Sequence, residues 1–324
     1  DSREVNVVGF IDDDKTIQGQ QLYGCKVYAP SALKNLIKEQ EVSTILLAIP
    51  SVGRKKRNSV LEKLSEYNVA VRTVPSLADI AQGRVTNSDI LPLNLEDLLG
   101  REMVEPDNNL LMRNIWKKTI LVTGAGGSIG SELCRQILKL NCQKLILIDF
   151  NEYALYSIHS ELENIAASLT EKSDIKIIPI LTSIQQKERM SKIISEWKPD
   201  VIYHAAAYKH VHLVEENLEE GINNNVISSI HLAEAALEHG ASHFVYVSTD
   251  KAVRPTNVMG ASKRLAEISL QSLFKKNSNV DCKLAIVRFG NVIASSGSVI
   301  PKFRKQIENG GPITLTHPEI TRYF

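Results

Sequence analysis

Asp250 and Lys251 place a carboxyl group beside an amine, directly after the hydroxyl side chains of Ser248 and Thr249. Such a pair can give and take protons at one reacting centre. A second lysine, Lys263, follows, with Met259 four positions before it. Residues four apart on a helix lie one turn from each other. A phenol at position 259 would have its pKa lowered by the Lys263 ammonium and could then take a proton from a hydroxyl. A thioether cannot. Either proton transfer in this segment falls to Asp250 and Lys251, or the segment is chemically silent.

These residues need a scaffold, and the sequence upstream supplies its pattern. Thr119 to Val122 is an apolar, β-branched run leading into Thr123-Gly124-Ala125-Gly126-Gly127-Ser128-Ile129-Gly130, then into the helical spacing of Leu133, Ile137, Leu138 and Leu140. The reading is strand, glycine turn, helix. Gly124, Gly127 and Gly130 have the spacing of a dinucleotide-binding turn, in which backbone approaches a pyrophosphate and the first helical amides, from Ser128 and Ile129 onward, face it. A second strand, Lys144 to Ile148, ends in Asp149, placed to accept from the adenosine ribose hydroxyls, which favours NAD over NADP. Ile175 to Leu181 and Val201 to His204 read as the third and fourth strands. The latter runs into Ala205, Ala206 and Ala207, small enough to let a cofactor lie against backbone. Phe244 to Ser248 is the fifth strand and carries Thr249-Asp250-Lys251 at its C-terminal end. Strands alternating with helices predict an α/β fold, a doubly wound parallel sheet of Rossmann type.

From about Asp97 onward the chain resembles the long, membrane-anchored nucleotide-sugar 4,6-dehydratases of bacterial polysaccharide and glycoprotein synthesis, within the extended short-chain dehydrogenases. The resemblance is carried by Leu98 to Glu102, Thr123 to Glu132, His204 to His210, Asn224-Asn225-Val226, Ser248 to Lys263, Val287 to Val292, Ser295 to Pro301 and His317 to Phe324. Methionine in place of tyrosine is typical of the long members. The resemblance implies conversion of UDP-N-acetylglucosamine to its 4-keto-6-deoxy derivative, with bound NAD reduced and reoxidised in each turnover. It assigns Asp250 as acid toward the C6 oxygen, Lys251 as base at C5, Thr249 to the O4 region and Lys263 to the nicotinamide ribose. A 4-epimerase on the same scaffold is the second enzyme reading, and a silent NAD-binding assembly module is a third.

Two positions depart from the family pattern. Thr182-Ser183 stands where the relatives have Gly-Asp, so Ser183 replaces a carboxylate toward adenine, and His212 replaces a proline. On the substrate side, Lys209, Asn225, Asn291, Ser295, Ser298 and Arg322 are the candidates, with Arg288 read as structural.

The expected organisation is an N-terminal α/β domain over residues 1–96, nucleotide-binding-like but lacking its first strand and glycine turn, and a connector over 97–118. An NAD-binding domain over 119–290 follows, then the start of a substrate lobe over 291–324. In the first domain Val5 to Asp14 and Thr44 to Pro50 read as strands, and Ser31 to Lys38 and Arg54 to Tyr67 as helices. Both ends read as cut.

With 324 residues, 43% hydrophobic content and a net charge of +1, the chain can build two cores and shows no nucleic-acid surface. Its apolar stretches fall short of the roughly 18 residues that a bilayer span needs. The resemblance implies membrane helices upstream in the parent protein, a cytoplasmic position for this part, and a homo-oligomer. Cys25, Cys134, Cys142 and Cys282 lack C-x-x-C spacing, and no metal site is expected.

Overall fold

The computed structural model describes residues 6–49, 52, 54–67, 69–74, 91–92, 104, 106–168, 175–292, 295 and 299–315. Ser298, Arg322, the Leu98 to Glu102 block and the His317 to Phe324 block lie outside the described residues. The chain forms two compact units, Asp1–Met103 and Val104–Phe324.

The first unit holds β1 (Phe10–Ile11), β2 (Gln21–Leu22), β3 (Cys25–Tyr28), α1 (Leu33–Glu39), β4 (Thr44–Leu47), α2 (Arg54–Leu64), β5 (Ala70–Thr73) and β6 (Leu91–Pro92). They make two three-stranded sheets, ordered β1-β3-β2 and β4-β5-β6. Leu47, Leu61 and Leu64 are the buried centre, packed by Leu33, Ile45 and Val71. The expected strand over Val5 to Asp14 is shorter than its apolar run. Asp12 accepts from the Asp14 amide at 2.9 Å and Asp14 from the Thr16 amide at 2.8 Å, so these side chains turn the backbone out of the sheet. The β2–β3 hairpin has no strong alternation and was not foreseen.

The second unit contains α3 (Asn108–Ile115), β7 (Thr119–Thr123), α4 (Ser128–Lys139), β8 (Lys144–Asp149), α5 (Glu152–Ser168), β9 (Lys176–Leu181), α6 (Lys187–Trp197), β10 (Val201–His204), α7 (Val211–Glu216), α8 (Leu218–Ile222), α9 (Ser228–Glu238), β11 (His243–Val247), α10 (Val258–Lys276), β12 (Lys283–Val287) and α11 (Val299–Glu308). The six strands form one sheet, ordered β12-β11-β10-β7-β8-β9, and every pair is parallel. This is the α/β Rossmann-type sheet expected. Buried on both faces, β7 and β8 read as continuous apolar runs. Alternation sends Ile120, Val122, Leu145 and Leu147 toward α4 and α5, and Leu121, Ile146 and Ile148 toward α6, α9 and α10. Each such fully buried side chain contributes about 2 kcal/mol. At the sheet edge β12 alternates exposed with half-buried residues, too weak a pattern to single out beforehand.

Strand order reverses between β7 and β10, which opens a crevice at their carboxyl ends. Thr123 pairs with Ile148 on one side and His204 on the other, so three strands end level there. Among the described residues no helix is long and apolar enough to cross a membrane.

Candidate active site

The glycine turn after β7 is shaped by contacts across the crevice. Gly124 has φ +67°, and a Cβ on it would lie 2.8 Å from the backbone N and Cα of Ala206. Ala205 and Ala206 therefore press directly on the turn, and only a residue without a side chain fits. A Cβ on Gly130 would strike the Gly124 carbonyl oxygen, so the start of α4 packs against the turn that precedes it. Gly127 caps α4 and donates its amide to the Gly124 carbonyl oxygen at 3.0 Å, and among the described residues a Cβ there meets that oxygen alone, at 3.2 Å. Gly126, passed over in the sequence, is more constrained: its Cβ would come within 2.5 Å of the Ala154 Cβ on α5. Nothing local in the sequence marks that contact. Ser128 and Ile129 open α4, whose N-terminal turn offers amides and the positive end of the helix dipole to the crevice.

Asp149 is buried at the end of β8, and backbone aims its carboxylate. Oδ2 accepts from the Gly126 amide and Oδ1 from the Asn151 amide, each at 2.9 Å. Ser183 is half-buried after β9, its Oγ accepting from the Gln185 amide at 3.2 Å, which makes it a turn-forming group as it stands.

The residues after β11 form one hydrogen-bonded cluster. Thr249 caps a 3-10 turn over Asp250–Ala252 and donates Oγ1 to Asp250 Oδ1 at 2.9 Å. Lys251 Nζ donates to Asp250 Oδ1 and to Asn291 Oδ1, both at 3.1 Å. Asn291 thus reaches Lys251. Burial alone would raise the Asp250 pKa, but hydrogen bonds from Lys251 and Thr249 and the adjacent positive charge outweigh it and hold the carboxyl below its usual value. A Cβ on Gly260 would strike the Lys251 carbonyl oxygen, so the start of α10 packs tightly against this turn.

Met259 and Lys263 are both buried in α10. Lys263 Nζ donates to the Val247 carbonyl at 2.8 Å and sits 4.0 Å from the centre of the Tyr246 ring. Burial pushes its pKa down to about 7, against a smaller opposing pull from Glu267. Glu267, one turn further along α10, is fully buried and was not singled out from sequence. It accepts from Ser248 Oγ at 2.6 Å, from Arg288 Nε at 2.8 Å, from Arg264 Nη1 at 2.9 Å and also from Arg288 Nη2. Burial opposes ionisation, yet these donors bring its pKa down to about 2. Arg288 is thereby tied to α10, and Ser248, the residue before Thr249, is anchored.

Asn225 lies in a π-helical turn, Asn223–Ile227, and is fully buried. Its Oδ1 accepts from the Tyr208 amide at 2.8 Å and from Asn224 Nδ2 at 3.2 Å. Its Nδ2 donates to the Tyr208 carbonyl at 3.0 Å and to Ser262 Oγ at 3.1 Å. Every donor and acceptor of the amide is used, so Asn225 positions the loop before α7. Lys209 is exposed on that loop, and partial burial lowers its pKa. Ser295 is half-buried between β12 and α11, and its amide donates to Val292.

Residues 120–324 match the family described as "Polysaccharide biosynthesis protein". The capsular polysaccharide biosynthesis protein CapD of Staphylococcus aureus is 45% identical over 97% of this chain and 52% of its own length. The chain spans about half the length of such curated relatives. UDP-glucose 4-epimerases of Rickettsia species also match, at 32% identity over 64% of this chain and 58% of the Rickettsia prowazekii protein. Among solved structures, Pen from Bacillus thuringiensis has a TM-score of 0.59 at 27% identity, covering 65% of this chain and 63% of that one. DesIV, a dTDP-glucose 4,6-dehydratase from Streptomyces venezuelae solved with NAD and TYD bound, has a TM-score of 0.50 at 22% identity, covering 60% and 63%.

Proposed function

Because the chain belongs to this polysaccharide biosynthesis protein family, we propose that its second unit carries the NAD-dependent 4,6-dehydration of a UDP-N-acetylhexosamine, with UDP-N-acetylglucosamine as substrate. The observation that carries the reading is the Thr249, Asp250, Lys251 and Asn291 cluster at the carboxyl edge of the sheet, with a buried methionine where a proton-transferring phenol would stand.

The residues present fit a dinucleotide. Gly124 and Gly130 let the turn pack tightly between Ala206 and the start of α4, whose first amides are the anion-binding end of the helix, and Asp149 offers a buried carboxylate aimed by two backbone amides. In this reading Gly127, Ser128, Ile129 and Gly130 hold the pyrophosphate, Asp149 the adenosine ribose and Lys263 the second ribose. Ala205 and Ala206 let the cofactor lie against backbone, and Ser183 stands toward adenine. NAD⁺, when bound, supplies an acceptor for the C4 hydride and gives that hydride back at C6, so there is no net redox change.

Protons are the task of this chain's own side chains. Asp250 and Lys251 start as carboxylate and ammonium 3.1 Å apart. Moving one proton across that hydrogen bond yields a carboxylic acid and a neutral amine, the forms an acid and a base need. A sugar nucleotide that excludes water favours this neutral pair, because two charges lose hydration together. Lys251 then removes the C5 proton while Asp250 protonates the departing C6 hydroxyl, which leaves as water, and the pair returns to ammonium and carboxylate. Lys251 gives its proton back to C5 as C6 receives the hydride. The O4 proton, released on oxidation at C4, makes up the one spent on water. Thr249 Oγ1, already donating to Asp250, offers it a route. On the substrate side the proposed set is Lys209, Asn291, Ser295, Ser298 and Arg322, of which Asn291 contacts Lys251.

A 4-epimerase is the second reading, favoured by the Rickettsia matches. It shares the oxidation at C4 and the release of the O4 proton, but it has no task at C5 and C6 for the Asp250–Lys251 pair. The test is incubation with UDP-N-acetylglucosamine in deuterated water, followed by NMR and mass spectrometry. A 4-keto-6-deoxy product with deuterium at C5 is expected. A released C4 epimer would replace this reading with the second, and unchanged sugar with NAD bound would favour a silent assembly module.

A further inference from the structure

The residues that end β7 and β10 meet in a buried polar chain that takes no part in the chemistry above. His204 is fully buried, with Nδ1 2.7 Å from Thr123 Oγ1 and Nε2 2.8 Å from Ser229 Oγ. The directions of these bonds follow from the neighbours. Ser229 Oγ donates its one hydrogen to the Asn225 carbonyl at 2.8 Å, so it accepts from His204 and Nε2 carries a proton. Thr123 Oγ1 accepts from the Ala206 amide at 3.3 Å and has its own hydrogen left to donate, so Nδ1 is the acceptor. The rings of Phe244 and Tyr246 flank the imidazole, and burial with the nearby Lys263 charge brings its pKa down to about 3.

The chain has a continuation at each end. Thr123 immediately precedes Gly124, and His204 immediately precedes Ala205 and Ala206, which press on Gly124. At the other end Asn225 holds Tyr208 and Ser262, and Ser262 Oγ donates to the Met259 carbonyl at 2.7 Å. One sequence of hydrogen bonds therefore runs from the glycine turn to the Met259–Lys263 turn of α10.

We propose that His204, fixed as the neutral Nε2–H tautomer between Thr123 and Ser229, is a positioning residue that sets the width of the dinucleotide crevice between the glycine turn and Lys263. This rests on the dinucleotide reading above. A histidine is suited to the task because it accepts on one edge and donates on the other across a span that no aliphatic side chain bridges. A buried chain with every member satisfied is stiff, whereas one missing member leaves its neighbours unpaired.

The test uses the intact chain labelled with 15N-histidine, with His204→Gln identifying the His204 signals. The wild type is expected to show a neutral Nε2–H imidazole that does not titrate between about pH 5.5 and 8.5. A titrating ring or the Nδ1–H tautomer would overturn the proposal, whatever any variant does. NAD affinity is then measured by calorimetry beside thermal stability for Thr123→Val, Ser229→Ala and the double variant. Each single change is expected to weaken NAD tenfold or more, and the double variant to bind no worse than the weaker single one, since either break uncouples the same unit. Full NAD affinity in a folded single variant, or additive losses in the double, would show His204 to be core packing and would sink the proposal. If one variant fails to fold, the other and the wild-type tautomer still decide. A wild type that does not bind NAD would remove the cofactor reading itself, a result separable from the behaviour of the variants.

Discussion

On the β7–β8 side of the crevice the polar groups are aimed by backbone, whereas on the β11–β12 side they are aimed by one another's charges. Asp149, at the end of β8, takes its direction from the amides of Gly126 and Asn151. Across the crevice, Asp250 is set by Lys251 and Glu267 by two arginines. The first arrangement suits recognition, because amides do not titrate and a bound group meets the same geometry at every pH. The second suits proton transfer and its support. The Asp250–Lys251 pair is part-exposed and can exchange a proton, while Glu267 is fully enclosed and stays ionised.

Changes on the charged side should remove chemistry without removing cofactor. Asp250→Asn keeps the shape of the turn and deletes the transferable proton. Dehydration is expected to fall by roughly 10³-fold or more while NAD affinity stays within a few-fold, as read by product NMR and calorimetry. Retained turnover would end the assignment of Asp250 as the acid. Gly130→Ala tests the opposite side, because its Cβ meets the Gly124 carbonyl oxygen. A loss of about 3 kcal/mol in stability, with NAD affinity lost as the turn is displaced, is expected from denaturant titration and calorimetry.

Glu267→Gln addresses the support of the charged side and is expected to cost about 3 kcal/mol, since two guanidiniums lose their counter-charge. The pH dependence has a fixed sign. The folded pKa of about 2 lies below the ordinary 4.5, so this carboxylate stabilises fully above about pH 4.5 and progressively less as pH falls toward 2. Acid unfolding of the wild type should show that limb, and the variant should lack it. The smallest effect is expected from Met259→Leu. A buried swap of similar volume costs less than about 1.5 kcal/mol, and turnover should remain within a few-fold of wild type. A large loss of turnover with stability intact would return position 259 to the chemistry.

The central strands were legible because burial on both faces leaves uninterrupted apolar runs, and their ends lie within about one residue of expectation. At the edge, β12 has only half of that pattern and shows itself through its pairing with β11. The glycine turn was legible as a spacing, but its demands fall differently. Gly126 is constrained by Ala154, a residue on the next helix, and Gly127 carries little constraint. Asn225 drew attention as a possible sugar contact, and its surroundings commit its whole amide to Tyr208, Asn224 and Ser262. Glu267 has no local mark in the sequence because its partners Ser248 and Arg288 come from two different strand ends.

By itself the sequence determined the order of the strands from β7 to β11, the glycine turn, the acidic end of β8 and the adjacency of Asp250 and Lys251, since each is written in neighbouring residues. Only the tertiary structure decided which groups face one another. Asn291 reaches Lys251, Glu267 fastens Ser248 at the start of the Asp250–Ala252 turn, and His204 is held in one tautomer between Thr123 and Ser229. Those relations join residues far apart in the chain, and a parallel sheet brings them together at one edge only after its crossovers have been packed.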